Sequence, residues 1–468
     1  MAGTKTTILQ AWLPRIGITL ALGSALASTW LLLSDCNVWL AVFCTFFGLR
    51  YTRFIGHLIG AWSYRPSLVQ PDPSFTRHDV TVIVPTVDPA GPVFPECIRS
   101  ILANGVAQII VVTAGADLKT KCRQALEALA PEAGETSLVV SAIAKPSKRR
   151  QIRHAMSHVS TPITILADEG AFWPSVNFIP SVLAPFENQK VGVVASKKRA
   201  RRTTPGRWSW LSIVNFIATN YLERHNWELK ASNAIDGGVF VVSGRTAVYR
   251  TEFLANQALL DHFCNEKFFF GRFGGEDGLG PDDDNFLTRA AIKNGWLIRF
   301  QDTEEATVEV TLGEWPRFHS QLLRWARTTF RSNPVMLRNP DFFRRYTWSM
   351  FMVYWAGITN FALLWDSALI LSLVQALKAT PGVPGAWLSL ALFLLWIIAT
   401  KTVKIIPNLY RHPADVALLG FQIAFAYVHS FYKLWALVTF WDCSWSGRKL
   451  DGLGGDESQD VEALEVVV

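Results

Sequence analysis

The chain has 468 residues, half of them hydrophobic, a net charge of +7 and a mean hydropathy of +0.20. It is too long for one ordinary domain and too apolar for an ordinary water-soluble protein, so part of it belongs in a bilayer. Its positive charge clusters beside apolar segments, which suits anionic lipid head groups and argues against a nucleic-acid-binding protein.

Ile16 to Leu33 is an almost uncharged apolar run, long enough at about 1.5 Å per residue to cross most of a roughly 30 Å hydrocarbon core. A second run, Val38 to Leu49, follows after Ser34-Asp35-Cys36-Asn37 and continues through Phe54 to Trp62 if Arg50 and Arg53 snorkel. Residues 1–64 therefore read as a pair of transmembrane helices. A cleaved signal peptide fits less well, because the first run is long and the second follows at once.

From Arg65 to about Asn339 charges and Gly/Pro punctuation return, and residues 65–339 read as a water-soluble domain. Val80–Pro85, Gln108–Thr113, Ser137–Ala142, Pro162–Ala167 and Val191–Ser196 have the β-branched character of buried strands, with helices such as Pro95–Ala103 and Thr120–Leu129 between them. That alternation predicts an α/β domain with a mostly parallel sheet. Ligands of such sheets bind beyond the carboxyl ends of the strands, which points to Thr86, Asp88, Thr113, Asp168 and Glu169.

Four short motifs carry the chemistry. Asp168 and Glu169 end an apolar strand ahead of Gly170, where carboxylates can bind a hard cation against a diphosphate; a polar strand-to-turn transition would look the same. Asp282, Asp283 and Asp284 follow the Gly-rich stretch Gly271 to Gly280 and precede an expected helix, Asn285–Asn294. A helix cap needs only one of the three, and a carboxylate here could take the proton of an attacking hydroxyl. Gln321, Arg324 and Trp325 share one face of a helix opened by Pro316, near 315–332, whose other face reads as basic and interfacial. Trp445-Ser446-Gly447-Arg448 is short, and alone it reads as a membrane-exit turn. The run Lys197 to Arg202 reads as a solvated or head-group-facing patch, and Asp236-Gly237-Gly238 leading into Val239–Ser243 as a turn and strand.

Three more apolar stretches, Trp348–Leu377, Trp387–Ile406 and Val416–Trp441, assign 340–442 to transmembrane or interfacial helices. Three full crossings would put Trp445 to Arg448 on the side opposite the domain, so we expect a partly interfacial helix after Arg411-His412-Pro413. The positive-inside rule places the domain, with Lys148-Arg149-Arg150, in the cytoplasm. Residues 443–468 hold the WSGR segment and an acidic tail, Asp456 to Val468, expected to be solvated. Most of the 19 tryptophans lie near membrane segments, as interfacial belts do. The six cysteines have no metal-ligand spacing and read as reduced thiols.

In their order, DDDNFLTR, QLLRWART and DCSWSGRK resemble the processive membrane-embedded family-2 glycosyltransferases. These include the hyaluronan, chitin and cellulose synthases, and the nearest likeness is to the fungal type 2 branch. The resemblance implies a GT-A fold inserted between N- and C-terminal transmembrane helices, a UDP-sugar donor, Mg2+ or Mn2+, inversion at the anomeric carbon, and export of a polysaccharide. Carried over by position, Asp284 is the general base. Lys148, Arg149, Asp168, Arg324, Trp445 and Arg448 fall on the donor side, to which the strand-end reading adds Thr86, Asp88 and Thr113. Asp283, Ser243, Gly244, Gln321 and Trp325 fall on the acceptor side, and Asp168 with Glu169 at the metal.

Two departures stand out. The family's metal motif usually ends in Asp where this chain has Gly170, so the cation would depend on Glu169. The second strand often ends in an Asp, where this chain has Thr113-Ala114-Gly115 with Asp117 close by. The implied product is a polymer exported at the plasma membrane. Transfer of one sugar to a lipid and a family member that has lost catalysis are the rival readings. Asp366 and Asn360 fall inside an apolar stretch, where they face a polar passage or join helices by hydrogen bonds.

Overall fold

The computed structural model describes residues 23–24, 27, 37–274, 278–382, 384–443 and 463–468. It forms two compact units. One comprises 1–65, 202–238 and 313–440; the other comprises 66–201, 239–312 and 441–468.

The second unit is built on one sheet. Its strands are β1 (Val80–Pro85), β2 (Gln108–Ala114), β3 (Ser137–Ile143), β4 (Ile163–Ala167), β5 (Ala171–Phe172), β6 (Val191–Ala200), β7 (Thr246–Arg250), β8 (Leu297–Gln301), β9 (Thr307–Val310) and β10 (Glu465–Val466). They run β10-β3-β2-β1-β4-β7-β6-β9-β5, with β8 paired to β6. The adjacent strands β3, β2, β1 and β4 are parallel. Their near-continuous Val/Ile runs are buried, as strands covered on both faces require.

The sheet is mixed rather than parallel throughout. β7 runs antiparallel to both β4 and β6. It begins at Thr246, while the expected strand Val239–Ser243 is irregular. Val242 N–H donates 2.9 Å to Thr288 Oγ1, a side chain, instead of joining a ladder.

The run from Lys197 to Arg201 is also not a head-group patch. Lys197 to Ala200 lies in β6, whose side chains alternate. Lys197 pairs with Asp302 at 3.2 Å and Arg201 with Glu309 at 3.2 Å, while Lys198 is buried. The end of the acidic tail is sheet edge rather than solvated chain. β10 pairs with β3, and Lys119 Nζ lies 2.8 Å from Glu465. The β-branched Val466, Val467 and Val468 supply the propensity that the preceding acids obscure.

Among the described residues of the first unit, four helices are long and apolar enough to cross a membrane: Val38–Ser63, Ala362–Ala379, Ala386–Arg411 and Pro413–Leu437. The run Ile16 to Leu33 lies almost wholly outside the described residues. Gly56 and Gly60 let the first of these helices pack closely. A Cβ at Gly56 would fall 1.9 Å from the Trp348 ring, and one at Gly60 would fall 2.7 Å from Ala231 O on the Trp210–Ile235 helix.

The apolar stretch from Trp348 to Leu377 is not one continuous helix. A π turn spans Met350–Trp355, and the chain breaks at Asn360 before Ala362–Ala379. Beyond His412, a 3-10 turn, Pro413–Leu418, precedes the helix Leu419–Leu437.

Candidate active site

Three chain segments of the second unit bring their polar ends together. β4 delivers Asp168 and Glu169, the helix Lys148–Met156 begins at Lys148, and the helix Asp283–Lys293 begins at Asp283 and Asp284. Gln151 fixes the Lys148 helix against the sheet, donating to Val112 O at 2.8 Å and to Thr86 O at 3.1 Å. Asp282 takes a left-handed φ of 65°, a conformation Asp tolerates better than most residues. This turn sets the next two carboxylates in a helical first turn, where the helix dipole favours negative charge.

Lys148 Nζ bridges the two acidic segments, 2.7 Å from Asp168 Oδ1 and 2.8 Å from Asp283 Oδ2. Burial alone would lower its pKa, but the two carboxylates outweigh that and hold the ammonium above the ordinary lysine value. Asp284 faces the other way. Its Oδ2 accepts the Gly244 N–H at 3.2 Å, and its Oδ1 accepts the Asn285 N–H at 2.8 Å. Burial, and then the neighbouring Asp283, push Asp284 above the usual carboxylate range, against the opposing pull of Lys148 and the Gly244 N–H. Asp284 is thus a carboxylate with raised proton affinity.

The other expected residues divide. Thr86 Oγ1 donates to Glu169 and accepts from Asp88 N–H at 3.1 Å, so these three form one hydrogen-bonded corner beside Asp168. Ser243 accepts from Arg245 N–H at 3.4 Å, next to Gly244. Thr113 is fully buried at the end of β2. Arg149 is also buried, and its guanidinium donates to Phe263 O at 2.7 Å, Glu266 at 2.8 Å and Pro281 O at 2.7 Å. It anchors the loop that carries the acidic triplet. Gln321, Arg324 and Trp325 lie on the helix Arg317–Leu337 of the first unit, where Trp325 stacks on Tyr221 at 5.4 Å. Trp445 and Arg448 lie outside the described residues.

Two residues escaped the sequence reading. Arg245 Nε lies 3.9 Å from Asp168 Oδ2. Lys198 is buried, which lowers its pKa to about 8 although Asp284 opposes the shift. The period of two along β6 was the signal for Lys198, since it places Lys198 on the face opposite Lys197 and Arg199.

The site thus combines strand-end carboxylates, the cations Lys148 and Arg245, and a carboxylate of raised proton affinity, Asp284. The family described as "Glycosyltransferase like family 2" matches this chain over residues 78–328, which include every element of that site. The chain belongs to the family-2 glycosyltransferases. It is 36% identical over 429 residues to a type 2 glycosyltransferase of Zymoseptoria tritici, covering 91% of this chain and 87% of that one. It is 28% identical to the NDP-glycosyltransferase ltbB of Aspergillus luteorubrus, covering 70% of this chain and 78% of that one. Among solved structures, the mannosyltransferase PcManGT of Pyrobaculum calidifontis, in complex with GDP-Man and Mn2+, gives a TM-score of 0.46 at 17% identity, covering 83% of this chain and 99% of that chain. The mixed sheet with its helices is the GT-A fold of this glycosyltransferase.

A divalent cation at a diphosphate commonly takes one or two protein carboxylates and fills its other positions with phosphate oxygens and water. Asp168 with Glu169 beside it at the strand end suits that requirement, whereas the spot between Asp168 and Asp283 is filled by the Lys148 ammonium. Glu169 also accepts a hydrogen bond from Thr86. Among the described residues no cluster of three or more His, Cys, Asp or Glu side chains is arranged to hold a metal ion.

Gly244 offers a test of this geometry. A Cβ there would lie 3.1 Å from Lys148 Nζ and 3.3 Å from Asp283 Oδ2. Displacing the bridge by a few tenths of an ångström is expected to slow transfer in Gly244→Ala by about tenfold. The melting temperature should change little, since the lysine is flexible. Initial-rate kinetics beside a thermal melt check this, and an unchanged rate would show that the bridge position is not critical.

Proposed function

We propose that this chain is an inverting membrane glycosyltransferase that moves sugar from a UDP-sugar onto a growing polysaccharide and passes the product across the membrane. The observation that carries the reading is the placement of Asp284 at a helix N-terminus, held by the Gly244 N–H and set apart from the Lys148 bridge. An acceptor hydroxyl gives its proton to Asp284 as its oxygen bonds to the anomeric carbon, and the bond from that carbon to the UDP oxygen breaks. Lys148 and Arg245 face the charge that develops on the departing diphosphate. When bound, Mg2+ or Mn2+ would be held by Asp168 and Glu169 and would neutralise part of that charge.

The four apolar helices and the basic runs beside them support a plasma-membrane protein with its catalytic domain on the cytoplasmic side. A second reading, transfer of one sugar to a lipid, is favoured by a basic pocket enclosed among the apolar helices.

The test is UDP release by the purified protein in lipid, across a panel of UDP-sugars with Mg2+ or Mn2+. Release with one donor is expected, and sizing the product separates polymer from glycolipid. Release with no donor would overturn the proposal and favour the non-catalytic reading that Gly170 raises.

A further inference from the structure

The membrane-helix unit encloses a pocket of about 150 Å3, an order of magnitude more than the roughly 10–15 Å3 that one water needs. Five cationic side chains, Arg50, Arg53, Arg224, Lys401 and Lys404, line it with one carboxylate, Glu228. Most of these charges are matched. Arg50 and Lys401 lie 3.5 and 2.6 Å from Asp366, and Arg53 lies 3.2 Å from Glu228. Arg224 and Lys404 instead sit against aromatic rings, Tyr221 at 4.9 Å and Trp227 at 5.0 Å. Neither has a carboxylate within 4 Å among the described residues, and both share the one charge of Glu228 with Arg53.

Neutral groups point the same way. Asn220 is fully buried, yet neither its Oδ1 nor its Nδ2 has a hydrogen-bond partner among the described residues. The same holds for Gln422 Oε1, His429 Nε2 and Arg224 Nε, all on lining residues. Buried polar groups are nearly always paired, because an unpaired one forfeits its hydration for nothing. Such a concentration of unmatched charge and unpaired amide inside an apolar helix bundle marks a place where a ligand completes the pairing.

We propose that this pocket binds the phosphate-bearing head group of a membrane-borne ligand. Two unmatched cations suit one phosphate, with the Arg224 fork and the Lys404 ammonium as its charged donors. Asn220, Gln422 and His429 serve the hydroxyl and ester oxygens beside it. The pocket holds a head group and not a whole lipid, so the acyl or prenyl part stays among the helices. The binding itself stands alone. Its role as the acceptor or primer site rests on the transferase reading above. Tyr221, which lines the pocket, stacks on Trp325, so an occupant here bears directly on the QLLRW helix.

The experiment uses the full chain reconstituted in phosphatidylcholine nanodiscs, with no nucleotide sugar present. Retention of phosphatidic acid is compared with that of diacylglycerol, which lacks the phosphate, and with inorganic phosphate in solution. Phosphatidic acid is expected to be retained and to raise the melting temperature. Arg224→Gln and Lys404→Gln should each weaken retention by roughly tenfold, the loss of one charge-assisted contact. Arg224→Lys should recover part of the loss. Arg344→Gln, at a side chain 83% exposed, should change nothing.

Equal retention of diacylglycerol, or equal loss in Arg344→Gln, would overturn the site. A melting shift produced by inorganic phosphate alone as large as that of the lipid would overturn its membrane-borne source. UDP release is measured separately on the same preparations, so failure of transfer and failure of head-group binding are read independently.

Discussion

Asp284→Asn is expected to slow transfer by about 10²–10⁴-fold, the range a positioned general base supplies, while donor binding survives. The side chain keeps its size, and its amide oxygen can still accept one of the two N–H groups that Gly244 and Asn285 direct at the carboxylate. The lost property is the ability to take a proton. Because burial and Asp283 raise the Asp284 pKa, the wild-type rate should climb as pH rises through that raised value, and the variant's residual rate should not. The stability sign follows from the same shift. A carboxyl whose folded pKa lies above its unfolded value stabilises the fold most in acid. That contribution is fully present below the unfolded value of about 3.9 and is lost as pH rises through the folded one. Relative to Asp284→Asn, the wild type should therefore lose stability between acid and neutral pH. UDP-release kinetics, donor titration calorimetry and melts across pH check the three parts, and retained turnover in the variant would sink the assignment of the base.

The part of this arrangement carried by contiguous chemistry was legible in the sequence. The β-branched runs of β1 to β4 and their polar ends marked Thr86, Asp88 and Asp168, and the acidic triplet marked Asp283 and Asp284. The part that depends on which side chain a neighbour selects was not. Lys148 and Arg149 are adjacent and equally basic, yet Lys148 bridges Asp168 and Asp283 while Arg149 is buried as the anchor of Pro281. β7 was missed because Thr246–Arg250 is short and mixed in character. The stronger apolar run, Val239–Ser243, is drawn out of the sheet by Thr288. Asn360 and Asp366 both join helices by hydrogen bonds: Asp366 is consumed by Arg50 and Lys401, and Asn360 accepts from Arg50 while also lining the basic pocket. That pocket draws its residues from five separated stretches of chain, none of which stands out alone.

The largest loss of stability is expected from Asp415→Ala. Arg202 and Asp415 are almost fully buried, with side chains 1% and 0% exposed. They form a fork, Arg202 Nε to Asp415 Oδ2 at 2.9 Å and Nη2 to Oδ1 at 2.8 Å. The remaining valences are filled. Arg202 Nη1 donates to Ser212 O at 3.0 Å and Asn215 Oδ1 at 2.9 Å, and Gly206 N–H donates to Asp415 Oδ1 at 2.8 Å. One ion pair therefore fastens the Pro413–Leu418 turn to the loop that opens the Trp210–Ile235 helix. Removing one partner strands a buried guanidinium, for which a loss of about 3–5 kcal/mol is expected. Replacing both, as in Arg202→Met with Asp415→Leu, removes the stranded charge and should cost less than Asp415→Ala alone. Unfolding of Arg202→Met, Asp415→Leu and the double variant in one detergent, closed as a double-mutant cycle beside Asp415→Ala, measures the coupling. A loss below about 1 kcal/mol for Asp415→Ala, the value typical of a solvated surface pair, would show that water reaches Arg202 and that this turn is held by its apolar contacts instead.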